Sequence, residues 1–413
     1  MSYPSKRLID VAVAKGGKRL PLNSELVRDR TAHPYIRGRD IRDGKITFDD
    51  PVYVTDETFK QISRYTVDAG DVCITIVGNI GDVGITPSWL HGANLTENAV
   101  KLVNLRPELD KTFLAYALLS PSAQSQMKQT AAGVAQPKLG IYKVNEIEIP
   151  FPPLPVQRRI AGILSAYDEL IENNQRRIRI LEDVARSLYR EWFVRFRYPG
   201  HESVQLVDSP LGQIPQGWEV KKISDIAVVN RAQINAKNAP DELHYIDIAS
   251  VSPGQIVYVT TYAFADAPGR ARRVVQHGDV LWSCVRPNRR SHAPVLHPET
   301  NTIASTGFAV LTAKAVPFTF LYFATTTDDF VGYLTNNASG AAYPAVTATT
   351  FEKADLLIPS APLLKKFGDV TIPLSEQIHT LQRQTANLRR TRDLLLPRLL
   401  SGQVTLSKDA ANG

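Results

Sequence analysis

The chain has 413 residues, 43% hydrophobic and 22% charged, with 48 Lys and Arg against 41 Asp and Glu for a net charge of +7. That length supports two or three domains with ordinary cores, and no apolar run is long enough to cross a bilayer. Two cysteines exclude a disulfide framework and a cysteine-built zinc site, the N-terminus MSYPSKRLIDVAV lacks the apolar core of a signal peptide, and the expected compartment is the cytoplasm.

Residues 1–150 alternate short β-rich runs such as "VCITIVG" with turn residues. A helical stretch from Thr112 to Gln129 places Phe113, Tyr116 and Leu119 on one face. Together these predict a compact α/β domain. Cys73 lies in one such run and Cys284 in a later one, and both read as buried free thiols. The stretch "FPPLPVQRRI" at 151–160 then opens a long helix, with Pro155 suited to its first turn. Apolar residues recur at alternating spacings of four and three: Ile160, Leu164, Tyr167, Ile171, Ile178, Leu181, Ala185, Leu188 and Trp192. This is the seam of a coiled coil, broken at Asn174, which either sets helix register or is a tolerated polar gap.

A Pro- and Gly-rich linker, 197–220, leads into a second β-rich region, 213–357, and a second long helix follows. Its seam is Phe367, Leu374, Ile378, Leu381, Leu388, Leu395 and Leu399, with Thr371, Thr385 and Arg392 at the weaker positions. Pro397 is expected to end or kink it. Forty helical residues span about 60 Å, more than a domain of this size, so the two seams are expected to bury each other.

The two halves repeat. "IPSAPLLKKF" at 358–367 matches the earlier junction at an offset of 207, setting Pro152 on Pro359, Pro155 on Pro362 and Ile160 on Phe367. Four further pairs keep the same order: "KRLIDVAV" with "KKISDIAV", "YIRGRDIRDGKI" with "YIDIASVSPGQI", "AGDVCIT" with "HGDVLWS", and "AGVAQPKL" with "SGAAYPAV". A duplicated unit is the simplest source. An antiparallel helix pair then returns the C-terminal segment towards the N-terminus, with approximate two-fold symmetry.

This organisation resembles the specificity subunit of type I restriction–modification enzymes over nearly the whole chain. The resemblance is carried by "GVAQPKLGIYKVNEIEIPFPPLPVQRRIAGILSAYDELIE", "GQIPQGWEVKKISDI", "GRARRVVQHGDVLWSCVRPNRR" and "LLLPRLLSGQV". It implies a mixed α/β (α+β) chain: two globular target-recognition domains separated by two long antiparallel coiled-coil helices, with a pseudo-two-fold internal repeat. The expected boundaries are 1–152 for the first recognition domain, 153–197 for spacer helix 1 and 198–358 for the second domain with its lead-in linker. Spacer helix 2 is expected at 359–403 and a tail at 404–413. The resemblance further implies a non-catalytic reader of double-stranded DNA that takes one half of a bipartite, asymmetric target on each domain. Two methyltransferase (modification) subunits are expected on the helices and restriction (translocase/endonuclease) subunits beyond them. No cofactor is expected on this chain; S-adenosylmethionine and ATP belong to the partners. A stand-alone DNA-binding regulator is the alternative.

Arg pairs with guanine and Asn or Gln with adenine, while Lys and the remaining Arg hold phosphates. On those grounds the candidate DNA contacts in the first half are Arg37, Arg39, Arg42, Lys45, Arg64, Asn79, Lys128, Gln136 and Lys138. In the second half they are Arg270, Arg272, Arg273, Arg286, Asn288, Arg289, Arg290, His292 and Tyr343, with "CVRPNRRSH" the densest basic loop. Solvated surface is the plain alternative for each, and it leads for Arg64, Lys128 and Gln136. No methyltransferase or Walker A motif is present. His292 and His297 lack evident partners for a zinc site, so no metal is expected. The carboxylate pairs Asp49-Asp50 and Asp328-Asp329 are the only nuclease-like candidates, and they read more simply as solvated turns.

Overall fold

The computed structural model describes residues 3–131, 137–210 and 212–404. It divides into two compact units: Met1–Asn173 with Thr385–Gly413, and Asn174–Gln384.

Unit 1 is built on a six-stranded sheet. Its order is Val13–Gly16, Ala99–Val103, Val72–Thr75, Val83–Ile85, Gly44–Ile46 and Ile41–Arg42. The central strand Val72–Thr75 is buried at every position because both sheet faces are covered, which explains its unbroken apolar run. On one face Val72, Ile74, Val100 and Leu102 pack with Phe113, Leu114 and Leu118 of the helix Lys111–Leu119. The Asp110 carboxylate caps that helix by accepting from the Phe113 N–H at 2.9 Å. On the other face Ile36, Ile41, Cys73, Leu90 and Leu95 form a smaller core. The predicted stretch Thr112 to Gln129 is in fact two helices, Lys111–Leu119 and Pro121–Ala131. Pro121 forces Ser120 into the extended region and ends the first of them.

Unit 2 repeats the scheme. Its sheet runs Ala227–Val229, Phe308–Ala313, Val280–Ser283, His292–Pro294, matching the first four strands of unit 1 in order. Each unit also holds a parallel strand pair, Tyr35–Ile36 with Asn94–Leu95 and Glu242–Ile246 with Thr302–Ser305. The helices Phe318–Thr325 and Asp328–Asn336 answer to the two helices of unit 1.

The first long helix spans Leu154–Tyr189 and widens into a π-helical turn at Arg190–Val194; the second spans Ala361–Leu400. Each begins in one unit and ends in the other. In unit 1, Ile160 and Leu164 share a core with Leu399 and Leu400, and Asp168 pairs with Arg392 at 2.5 Å. In unit 2, Ala185 and Phe193 share a core with Leu363, Leu364 and Phe367. Early residues of one helix meet late residues of the other in both units, so the helices run antiparallel in each.

The seam expected from the periodicity is the inward side. Ile160, Leu164, Ile171, Asn174, Phe367 and Leu381 are buried. Tyr167, Ile178, Leu181, Leu188, Trp192, Leu374, Ile378, Leu388 and Leu395 are half-buried. Leu170, Ile180, Val184 and Leu394, off the seam, are exposed. Two weak positions have explicit partners: the Thr371 and Thr319 hydroxyls bond at 2.7 Å, and Arg392 pairs with Asp168. The second helix continues three residues past Pro397 and stops before Gly402, whose φ is +74°. Among the described residues no helix is long and apolar enough to cross a membrane.

Candidate nucleic-acid interface

In unit 2 the strand Val280–Ser283 delivers the chain into the basic loop. Pro287–Arg289 forms a single 3-10 turn, flanked by Arg286 at φ +50° and Arg290 at φ +54°. Two arginines in the left-handed region cost backbone energy, a cost that accumulates at functional sites. The loop is tied to a segment nearly sixty residues away. Val285 bridges Ala345, the Arg286 N–H donates to the Pro344 carbonyl at 2.7 Å, and an Arg286 Nη donates to the Ala342 carbonyl at 3.1 Å. The Arg286 guanidinium lies 4.6 Å from the centre of the Tyr343 ring, and that ring is 69% exposed. Asn288 and Arg289 project to solvent on the same turn, and Arg289 makes no ion pair among the described residues. Exposed arginine, asparagine and tyrosine are thus gathered on one rigid platform. Arg290 is held by Asp328, whose helix begins at that residue.

His292 departs from the surface role expected of it. It is buried, its ring centre lies 4.6 Å from that of Trp282 with the planes tilted by 39°, and it lines a cavity of about 670 Å³ with Arg186, Arg290 and Tyr322. Burial, reinforced by Arg290 and Arg186, pushes its pKa down to about 4, so the ring is neutral near pH 7. Arg270 is exposed, Arg272 lies over the Phe264 ring at 5.3 Å, and the Nε of Arg273 is buried without a hydrogen-bond partner. The last two lie on the strand Ala271–Val274, and no hydrogen bond joins them to the Arg286–Arg290 turn among the described residues.

Unit 1 carries the counterpart loop. Val77 bridges Lys138, 208 and 207 positions before Val285 and Ala345. Gly78 and Gly81, at φ +78° and +93°, make the turn that leaves Asn79 exposed two residues past that bridge. Gln136 lies outside the described residues. Lys128 is exposed on the helix Pro121–Ala131. Arg64 is exposed and lines a small cleft with Lys15 and Lys101.

The other basic cluster of unit 1 is not free. Arg37 is paired with Asp40 and Asp50, Arg39 with Asp50, Arg42 with Asp49, and Lys45 with Glu172. Desolvation pushes Asp50 up, but Arg28, Arg37 and Arg39 outweigh it and hold its carboxyl below the ordinary value. Of the carboxylates that could have served a nuclease, Asp49 and Asp50 hold arginines, and Asp328 holds Arg290. Both cysteines are free thiols, with burial raising Cys73 to about 12 and Cys284 to about 11.

The periodicity did not point to a polar clasp between the helices in unit 1. The Tyr116 hydroxyl donates to Asp168 Oδ2 at 2.5 Å, and the other oxygen of that carboxylate accepts from Arg392. Burial, then the Asp168 hydrogen bond, drive the Tyr116 pKa upward, so the phenol keeps its proton. The available signal was an arginine at a seam position, where a polar group costs stability unless it finds a partner.

Comparison with known proteins agrees with this architecture. Residues 3–183 match the family model described as the type I restriction modification DNA specificity domain. The specificity subunit of type I restriction enzyme MjaIX from Methanocaldococcus jannaschii is 24% identical over 368 residues, 86% of this chain and 82% of that one. The MjaVIII specificity subunit of the same organism is 20% identical over 94% of both chains. A crystal structure of the type I restriction-modification S subunit from M. genitalium superposes with a TM-score of 0.63 at 17% identity, over 96% of each chain. Residues 3–183 thus match a type I DNA specificity domain, and the chain as a whole is similar to the specificity subunits of type I restriction enzymes.

Proposed function

We propose that this chain is the sequence-reading, non-catalytic subunit of a cytoplasmic type I complex. Each unit takes one half of a bipartite, asymmetric double-stranded DNA target, and two methyltransferase subunits dock on the long helices. S-adenosylmethionine and ATP serve those methyltransferase chains and the restriction subunits, not this one. The observation that carries the reading is the pair of equivalent loop platforms, Arg286–Arg290 with Tyr343 and Asn79 with Lys138. They occupy matching places in the two repeats yet present different side chains. Unlike side chains on like scaffolds are what an asymmetric target requires.

The test is methylation and DNA binding of the assembled complex with Arg289→Ala. A base-reading arginine costs about 1–3 kcal/mol on the target and little on unrelated DNA, whereas a phosphate contact weakens all sequences alike. A uniform loss overturns base reading at Arg289. Target-specific binding by the isolated chain, with methylation unaffected by its removal, overturns the subunit reading in favour of a stand-alone regulator.

A further inference from the structure

Three distant segments of unit 2 converge on one point. The turn before the strand Val280–Ser283 carries His277, the loop after His292–Pro294 carries His297, and the second long helix carries Glu376. One ligand atom from each lies within 4.8 Å of the others. His297 Nε2 stands 2.6 Å from Glu376 Oε2, and His277 Nε2 stands 3.6 Å from Oε1 of the same carboxylate. The two imidazole rings are tilted by 45° with centroids 4.6 Å apart. One helical turn beyond Glu376, the His379 ring lies 5.8 Å from that of His297, and its Nε2 is buried with no hydrogen-bond partner. Arg383 lies one turn further along the same helix, close enough for its charge to act on His379.

We propose that His277, His297 and Glu376 form a binding site for a divalent transition metal, zinc by its donor set, with His379 the adjacent fourth donor. Imidazole and carboxylate donors sit about 2.0–2.2 Å from zinc, so neighbours around a tetrahedral ion stand roughly 3.4 Å apart. The His277–Glu376 separation already has this value, and the His297–Glu376 pair opens by less than an ångström to admit the ion. One rearrangement is required. The His297 backbone N–H donates to His277 Nδ1 at 3.3 Å, which leaves the proton of the neutral ring on Nε2. Ligation moves that proton to Nδ1 and gives up this long, weak bond. The positive charge of Arg383 opposes loading, and the Glu376 carboxylate offsets it.

The site ties two loops of the second domain to its own stretch of the spacer helix across 79 residues of chain. It is a clip that fixes how the domain is seated on that helix, and it stands independently of what the domain reads. The experiment uses the full-length, untagged chain, stripped with chelator and titrated with zinc. We expect one equivalent bound by calorimetry, a melting temperature that rises with zinc by mass action, and reversal by chelator. Cobalt(II) in its place should give ligand-field absorption in the visible. Glu376→Gln and His297→Ala should each weaken binding by more than the roughly 10–100-fold that loss of a mere supporting group causes. His91→Ala, an exposed histidine of unit 1, should change nothing. If the cluster is only a set of ion pairs, wild type melts identically with and without zinc and cobalt gives no bands. That result, or a zinc shift retained in both site variants, overturns the proposal.

Discussion

Replacing Phe367 with alanine tests the helix seam where the packing is densest. The side chain is fully buried and meets five rings: Tyr189, Trp192, Phe193, Phe320 and Phe323, at centroid distances from 4.9 to 6.4 Å. Four of these contacts, with Tyr189, Phe193, Phe320 and Phe323, are edge-to-face, each worth about 0.5–1.5 kcal/mol beyond the area buried. A buried Phe→Ala change costs about 3–5 kcal/mol through lost transfer energy and the cavity left behind. The crowded aromatic surround sets the expectation near the top of that range, because rigid rings collapse poorly into a void. Three of the four tryptophans, Trp192, Trp218 and Trp282, belong to unit 2, and Trp218 and Trp282 are buried in the same core as Phe367. Urea unfolding followed by tryptophan fluorescence therefore reports on this unit. With a slope of about 2 kcal/mol per molar, a loss of about 4 kcal/mol moves the midpoint by roughly 2 M. Phe367→Leu should lose far less. A loss below about 1 kcal/mol for the alanine variant refutes the claim that the seam joins this helix to the core.

The Asp168–Arg392 pair is 16% and 26% exposed, between surface and interior. Arg392→Met should thus destabilise unit 1 by about 1–3 kcal/mol, and a double-mutant cycle with Asp168→Asn should return a coupling of similar sign; additive losses would show that the two side chains do not interact. His292 is buried neutral with its pKa depressed to about 4, against about 6.5 when unfolded. The unfolded chain binds the extra proton between those values, so the stability tied to this ring is present above pH 6.5 and lost as pH falls towards 4. The loss reaches about 3 kcal/mol at pH 4, and His292→Gln should flatten that part of the urea-midpoint profile against pH; an unchanged profile rules the ring out.

Much of the architecture was legible because its signals are periodic. Alternating spacings of four and three must place one helix face inward, and the seam from Ile160 to Trp192 is that face. The duplicated motifs recur as duplicated strands, since "GDV" opens the central strand of both sheets. The fate of individual arginines was far less legible. The acids that occupy Arg37, Arg39 and Arg42 lie within thirteen residues of them, yet charge count alone cannot say whether neighbours pair or face water. Lys45 and Glu172, like Asp168 and Arg392, are 127 and 224 residues apart and meet only through the fold. His292 was misjudged because alternation along a strand decides which side chain turns inward, and "RRSH" carries no sign of where the strand begins. The His277, His297 and Glu376 cluster has no local spacing to find.

Each long helix is divided between the two units, and this has a consequence for any attempt to cut the molecule. A polypeptide ending in the linker near residue 200 carries the first sheet but lacks Leu399 and Leu400, which help to close its core. The complementary fragment lacks Ala185 and Phe193, which help to close the other. Each piece alone should therefore be destabilised, and mixing the two should supply what each is missing. The chain is interlocked by exchange of its own ends, so half-molecules should survive only in company.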